Sequence, residues 1–168
     1  MIMNIDATVL AAQPFLKGFS RQQLELMSNN AMTVEFPAGK IIFTEGEPAN
    51  RFYVLLKGEV SLESAPAKAG GRPKPIQTIK AGDVLGWSWL FPPYKWSFDA
   101  RAVKPTTAII FLATNLRKQC ETNPAVGYEL MKRVSKVVIT RLQATRRQLL
   151  AGKTKVARAK SAAPAGKL

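Results

Sequence analysis

The sequence has no histidine and a single cysteine in 168 residues. Without histidine there is no Ser-His or Cys-His nucleophilic pair, and the common His-based zinc sites are excluded. Cys120 alone cannot close an internal disulfide, so a reducing, cytoplasmic setting is the natural reading, with the thiol as a small buried hydrophobe. Acidic residues are scarce, 11 against 25 Lys and Arg. Glu45, Glu47, Glu59, Glu63, Asp83 and Asp99 are scattered, and no spacing marks a carboxylate pair for acid–base work. They read as turn and surface residues. No apolar run approaches the roughly 20 residues that would span a bilayer. Residues 1–15 show neither a basic leader nor a signal-peptide layout. The chain therefore reads as no enzyme, with no metal, no required cofactor and no membrane span.

What is present is apolar content of 46% and a net charge of +14. The first supports a real core, in a chain long enough for one ordinary domain. The second is uneven. From Arg117 onward there are thirteen Lys or Arg against Glu121 and Glu129, while the first 116 residues carry twelve basic and nine acidic residues. A basic C-terminal third suits an anionic partner, whether nucleic acid, acidic lipid or an acidic protein surface. The plainer alternative is a solvated helix face and a soluble tail.

Turn residues arrive every eight to twelve positions through the first two thirds of the chain. Residues 1–13 are weakly patterned and are expected to pack loosely. Ser20 is placed to cap a helix running to about Asn30, with Leu24 and Met27 inward. Strands are expected around Val34 and Phe36, at Ile41, Ile42 and Phe43, and over the dense apolar run 52–56. Glu59, Ser61 and Glu63 alternate with Val60 and Leu62, which predicts a strand with one wet face. Residues 65–75, APAKAGGRPKP, read as a flexible loop. Residues 76–79, 98–103 and 107–112 complete the strands of a small barrel or jelly roll.

The most unusual stretch is 82–102, GDVLGWSWLFPPYKWSFDARA. It holds all three tryptophans, Trp87, Trp89 and Trp96, and the pair Pro92 and Pro93, which stiffen it. It reads as an irregular insert between strands, where ligand chemistry is often carried.

The run GDVLGWSWL, followed by a short loop and ARA, resembles the phosphate-binding cassette of cyclic nucleotide-binding domains, a family that includes the bacterial catabolite activators. Three further stretches match in order: FPAGKIIFTEGEPANRFYVLLKGEV at 36–60, ARAVKPTTAIIFL at 100–112, and RLQAT at 141–145. The resemblance spans about residues 15–150. It implies a double-stranded β-helix, or β-roll, followed by a long helix, with cyclic AMP or cyclic GMP as the candidate ligand. In the family a glutamate holds the ribose 2′-hydroxyl and an arginine holds the cyclic phosphate. Here Trp87 stands at the glutamate position, and the arginine position falls on Trp96 or, with a one-residue slip, Lys95. Lys offers a point charge where Arg offers a planar fork.

The resemblance assigns Gly86, Trp87, Ser88 and Trp89 to a short helix whose free amides face an anion. Lys95, Trp96 and Ser97 would flank it. Thr145 matches the position that touches the purine, and Arg146 beside it would stack on a base or pair with a phosphate. The other reading of the same aromatics is that Trp87, Trp89, Phe91, Tyr94, Trp96 and Phe98 fill the pocket themselves.

Thr114 is expected to cap a short helix over 115–121, and Asn123-Pro124 to start a long one from about 124. Leu130, Val134, Val137, Val138, Leu142, Thr145 and Leu149 recur at steps of three and four, an apolar stripe suited to a homodimer seam or to packing on the chain's own barrel. Gly152 is expected to end the helix, and residues 151–168 to form a basic disordered tail. The domain thus reads as residues 14–150. No helix-turn-helix follows, so specific DNA reading is not expected and any nucleic-acid contact would be to phosphates. The function implied is a sensory or regulatory module in which ligand repacks the cassette against the long helix. The alternatives are a ligand-free interaction module, or a nonspecific nucleic-acid binder using the basic helix and tail.

Overall fold

Short apolar runs punctuated by turns bury their inner faces most readily as two packed antiparallel sheets. The computed structural model describes the backbone of residues 5–64 and 71–161, and side chains as far as residue 152. It contains β1 (Ala31–Phe36), β2 (Ile41–Phe43), β3 (Arg51–Lys57), β4 (Glu59–Ser64), β5 (Lys74–Lys80), β6 (Val84–Leu85), β7 (Asp99–Ala102) and β8 (Thr106–Leu112). One sheet runs β1-β8-β3-β6 and the other β2-β7-β4-β5. The pairings are antiparallel, with Val54 opposite Ile109 in one sheet and Val60 opposite Ile79 in the other. This is the expected β-roll. Of the loop at 65–75, residues 65–70 lie outside the described residues.

β3 sits between β8 and β6, and Phe52, Tyr53, Val54 and Leu55 are all buried. Phe52 is the hub of an aromatic cluster, with ring centroids 5.4 Å from Phe15, 5.7 Å from Phe111 and 5.9 Å from Trp89. Tyr53 meets Phe43 of the other sheet at 6.1 Å.

β4 departs from the expected alternation. Ser61 and Glu63 are buried along with Val60 and Leu62. The reason is cross-strand cover: Arg101 on β7 lies opposite Ser61, and its Nε donates to Glu63 Oε2 at 3.2 Å. Its Nη1 also reaches Gly39 O at 3.2 Å.

From residue 5 onward the N-terminal segment is packed rather than loose; residues 1–4 lie outside the described residues. α1 (Ala7–Ala11) is capped by the Asp6 carboxylate, which accepts from the Thr8 amide at 2.8 Å, and Ile5 and Leu10 are buried. A 3₁₀ turn at Pro14–Leu16 follows. α2 (Arg21–Ser28) has the expected Ser20 cap, completed as a box by the Gln23 side chain, with Leu24 and Met27 buried. α3 (Ala113–Thr122) continues directly from β8, so Thr114 lies inside the helix and not at its cap.

α4 (Pro124–Ser161) begins where expected, with Asn123 Oδ1 accepting from the Val126 amide at 3.4 Å. It does not stop at Gly152 but runs to Ser161, so the first part of the expected tail is helical. A helical glycine costs about 1 kcal/mol against alanine. Strong helix formers on either side, Leu150, Ala151 and Lys153, outweigh that here. Residues 162–168 lie outside the described residues. The chain divides into two compact units, Met1–Leu130 and Met131–Leu168.

Because Leu10 is fully buried, Leu10→Ala is expected to destabilise the protein by about 2–5 kcal/mol. Urea unfolding followed by far-UV circular dichroism measures this. A change below about 0.5 kcal/mol, the size of a surface substitution, would mean that the N-terminal helix is not part of the core.

Candidate ligand site at the aromatic cassette

After β6 the chain turns at Gly86, whose φ of +82° lies in the left-handed region where glycine carries no steric penalty. Trp87 then leads into a single 3₁₀ turn, Ser88–Leu90. The return path passes Phe91, a cis Pro92–Pro93 bond and Tyr94, whose φ is +56°. It is stitched to the turn between β2 and β3. The Ala49 amide donates to Tyr94 O at 2.7 Å, the Trp96 amide to Glu47 O at 2.9 Å, and the Gly46 amide to Trp96 O at 2.9 Å.

Two of the three indoles are core. Trp89 is fully buried against Phe52, and its Nε1–H has no acceptor among the described residues. Trp96 is 5% exposed and stacks on Phe43, with ring centroids 3.9 Å apart and an interplanar angle of 14°. The edge of the Trp96 ring lies on the Gly86 backbone. A Cβ at residue 86 would come within 2.7 Å of Cζ3 and 2.8 Å of Cη2. Trp87 and Ser88 are half-buried, while Lys95 and Ser97 are exposed. The structure thus brings Gly86 and Trp96 into contact, and sets Trp87, Ser88 and Trp89 on one turn. Thr145 and Arg146 belong to the second unit and are exposed there, with Thr145 Oγ1 donating to Arg141 O at 3.0 Å.

Beside the Trp96–Phe43 stack is a surface hollow of about 270 Å³, lined in part by Glu47, Asn50, Arg51 and Tyr53. Burial pushes the Tyr53 hydroxyl above its ordinary pKa, and the adjacent Arg51, which also hydrogen-bonds it, opposes that shift. On the other side of the cassette, Arg117 of α3 makes two contacts. Its Nη1 donates to Trp89 O at 3.1 Å, and its guanidinium lies 4.3 Å from the centre of the Tyr94 ring. α3 is itself held to the helix before β1, since Gln119 Nε2 donates to Leu26 O at 2.9 Å and Asn115 Nδ2 to Asn30 Oδ1 at 3.0 Å.

The profile of the cyclic nucleotide-binding domain family matches residues 33–123, the span from β1 through α3. The chain belongs to that family. A CRP-like cAMP-activated global transcriptional regulator of Mycobacterium tuberculosis is 25% identical over 142 residues, which is 84% of this chain and 60% of that protein. The chain therefore spans less than two thirds of the curated relatives it first matches. Among solved structures, a Geobacter metallireducens protein named for cyclic nucleotide binding is 29% identical, with a TM-score of 0.75 over 82% of this chain and 98% of that one. A cyclic nucleotide-binding domain of Methylobacillus flagellatus is similar in fold, with a TM-score of 0.77 over 100% of this chain and 91% of that one at 17% identity.

Three contacts of this family member were not read from sequence. Arg101, in the ARA that ends the cassette, is committed to Glu63 and Gly39 O inside the roll. Arg117 was counted only as surface charge. Phe43 was placed as a strand residue, with no sign that it carries the Trp96 ring. All three are long-range pairings, and local pattern does not encode them. Gly86 and Trp96 were singled out through the resemblance, but their contact with each other was not.

Arg117→Ala is expected to cost about 1–2 kcal/mol, from one hydrogen bond and one cation–π contact. Amide exchange over 88–95 should speed up with it, and Arg117→Lys should recover only part of the loss. Unchanged exchange in that segment would show that α3 does not hold the cassette.

Proposed function

We propose that this chain is a sensory or regulatory module that binds a cyclic nucleotide, or a closely related ligand, at the cassette between β6 and β7. The observation that supports this is the backbone of the cassette, left-handed Gly86 leading into a one-turn helix, in the stretch that the resemblance assigns to the ligand. The amides of Trp87, Ser88 and Trp89 would donate to an anion there, and Lys95 would supply positive charge. Cyclic AMP and cyclic GMP are the candidate ligands. Ligand would repack the cassette, and Arg117 would pass the movement to α3 and so to the start of α4. Such coupling requires the ligand to favour one of two states. Nothing in this reading asks for a catalytic group, so the chain would act as a regulator.

The module would work as a homodimer through α4. Ile139, Leu142, Leu149 and Leu150 are all more than half exposed in the single chain, a row of apolar side chains on a basic helix. A second copy of the helix would cover them. Among the described residues, no helix is long and apolar enough to cross a membrane. A cytoplasmic setting suits the unpaired Cys120.

Isothermal titration of the full chain with cyclic AMP and with cyclic GMP tests the ligand. Micromolar binding of either supports the sensor. Silence from both, with the fold confirmed by circular dichroism, would replace it with a ligand-free interaction module.

Sedimentation velocity tests the dimer. The wild type is expected to sediment as a dimer, and Leu142→Glu as a monomer. A wild type that stays monomeric at high concentration would remove the seam.

A further inference from the structure

The contact between Trp96 and Gly86 has a bearing on what the cassette admits. The indole does not border the site from a distance. It takes the space beside Gly86 that the absence of a Cβ leaves open, with ring atoms 2.7 and 2.8 Å from where that Cβ would be. It is held there by the flat stack on Phe43 at 3.9 Å. While the indole lies on the side of Gly86 where a Cβ would stand, no other group can reach the backbone from that side. Trp96 also carries no cation to take the place of the arginine that the resemblance assigns to this position.

The backbone around the ring is fixed. The Trp96 amide and carbonyl are both bonded to the turn between β2 and β3, through Glu47 O and the Gly46 amide. Movement of the ring is therefore a side-chain rotation, between staggered positions, about a stationary main chain. The hollow of about 270 Å³ that Trp96 lines with Phe43, Asn50, Arg51 and Tyr53 borders the ring and offers it room to move.

We propose that Trp96 is a gate on the anion position of the cassette: it closes the position when the site is empty and must swing toward the neighbouring hollow before a cyclic phosphate can reach the Gly86 backbone. This rests on the reading of the chain as a cyclic nucleotide sensor. The gate sets the ligand threshold. Apparent affinity falls in proportion to the fraction of molecules with the ring swung out, so removing the ring returns that fraction to one. Ligands without an anionic ring phosphate gain nothing from opening it.

The test is titration of cyclic AMP and cyclic GMP into the full-length wild type and into Trp96→Phe, Trp96→Ala and Trp96→Arg, each checked for folding by circular dichroism. Trp96→Ala and Trp96→Arg are expected to bind at least about tenfold more tightly than wild type, because the closed state is lost. Trp96→Phe, which keeps a smaller ring on Phe43 and guards against loss of fold in the alanine variant, should fall between the wild type and these two. Wild-type binding that equals or exceeds that of the folded variants would overturn the gate and leave the sensor reading intact. Silence from every folded variant would overturn both. A second readout is acrylamide quenching of tryptophan fluorescence. The wild type should become more quenchable when ligand is added, and a spectrum unchanged at saturation would also sink the gate.

Discussion

An aromatic ring resting on bare backbone is the constraint around which this cassette is arranged. Gly86 must lack a side chain for the Trp96 indole to lie where it does, and it must adopt a left-handed φ for the chain to leave β6 at that angle. The ring in turn fixes the return path, because its main chain can then pair with Glu47 and Gly46. Phe43 supplies the second face of the sandwich. One glycine, one tryptophan and one phenylalanine from three separate strand ends thereby decide the course of the loop. The space beside Gly86 is thus filled by an apolar ring.

Much of the framework was legible in the sequence. Period-two and all-apolar runs between glycine turns announced the strands, and the Ser20 cap and the Asn123-Pro124 helix start were read correctly from local chemistry. What failed did so for physical reasons. Alternation in β4 suggested a wet face, yet Ser61 and Glu63 are buried, because Arg101 from the neighbouring strand covers them. Weak patterning in the first residues suggested looseness, yet a few apolar side chains, Ile5 and Leu10, suffice to seat a five-residue helix. Gly152 looked like a stop, but a glycine ends a helix only when its neighbours fail to continue it. At the cassette, composition left two readings open, because the same six aromatics suit a pocket wall or a filled pocket. Burial divides them residue by residue: Trp89 and Trp96 are interior, Trp87 is half-buried, and Tyr94 and Phe98 are exposed.

α3 gains importance from its contacts. It touches the cassette through Arg117, α2 through Gln119 and the turn after α2 through Asn115, while its first residue follows directly from β8. A shift of the Trp89–Tyr94 segment would therefore be felt at two other places within the first unit. Arg117 suits that role because a planar cation can stack on a ring and donate in its own plane at the same time. Among the described residues, Trp89 Nε1–H and Gln119 Oε1 at this junction are both buried without a partner, so moving the segment breaks no bond at either atom.

The pairing of Arg101 with Glu63 has a consequence for how the molecule responds to ionic strength. With a formal charge of +14, the chain repels itself, and dissolved salt weakens that repulsion over distances beyond about 10 Å. The Arg101–Glu63 bridge is largely enclosed, at 32% and 9% side-chain exposure, so the same ions reach it poorly. Added electrolyte thus relieves the unfavourable long-range field while leaving the internal staple of the roll almost untouched. Moderate salinity is therefore expected to stabilise this protein, contrary to what its wealth of charged side chains would first suggest.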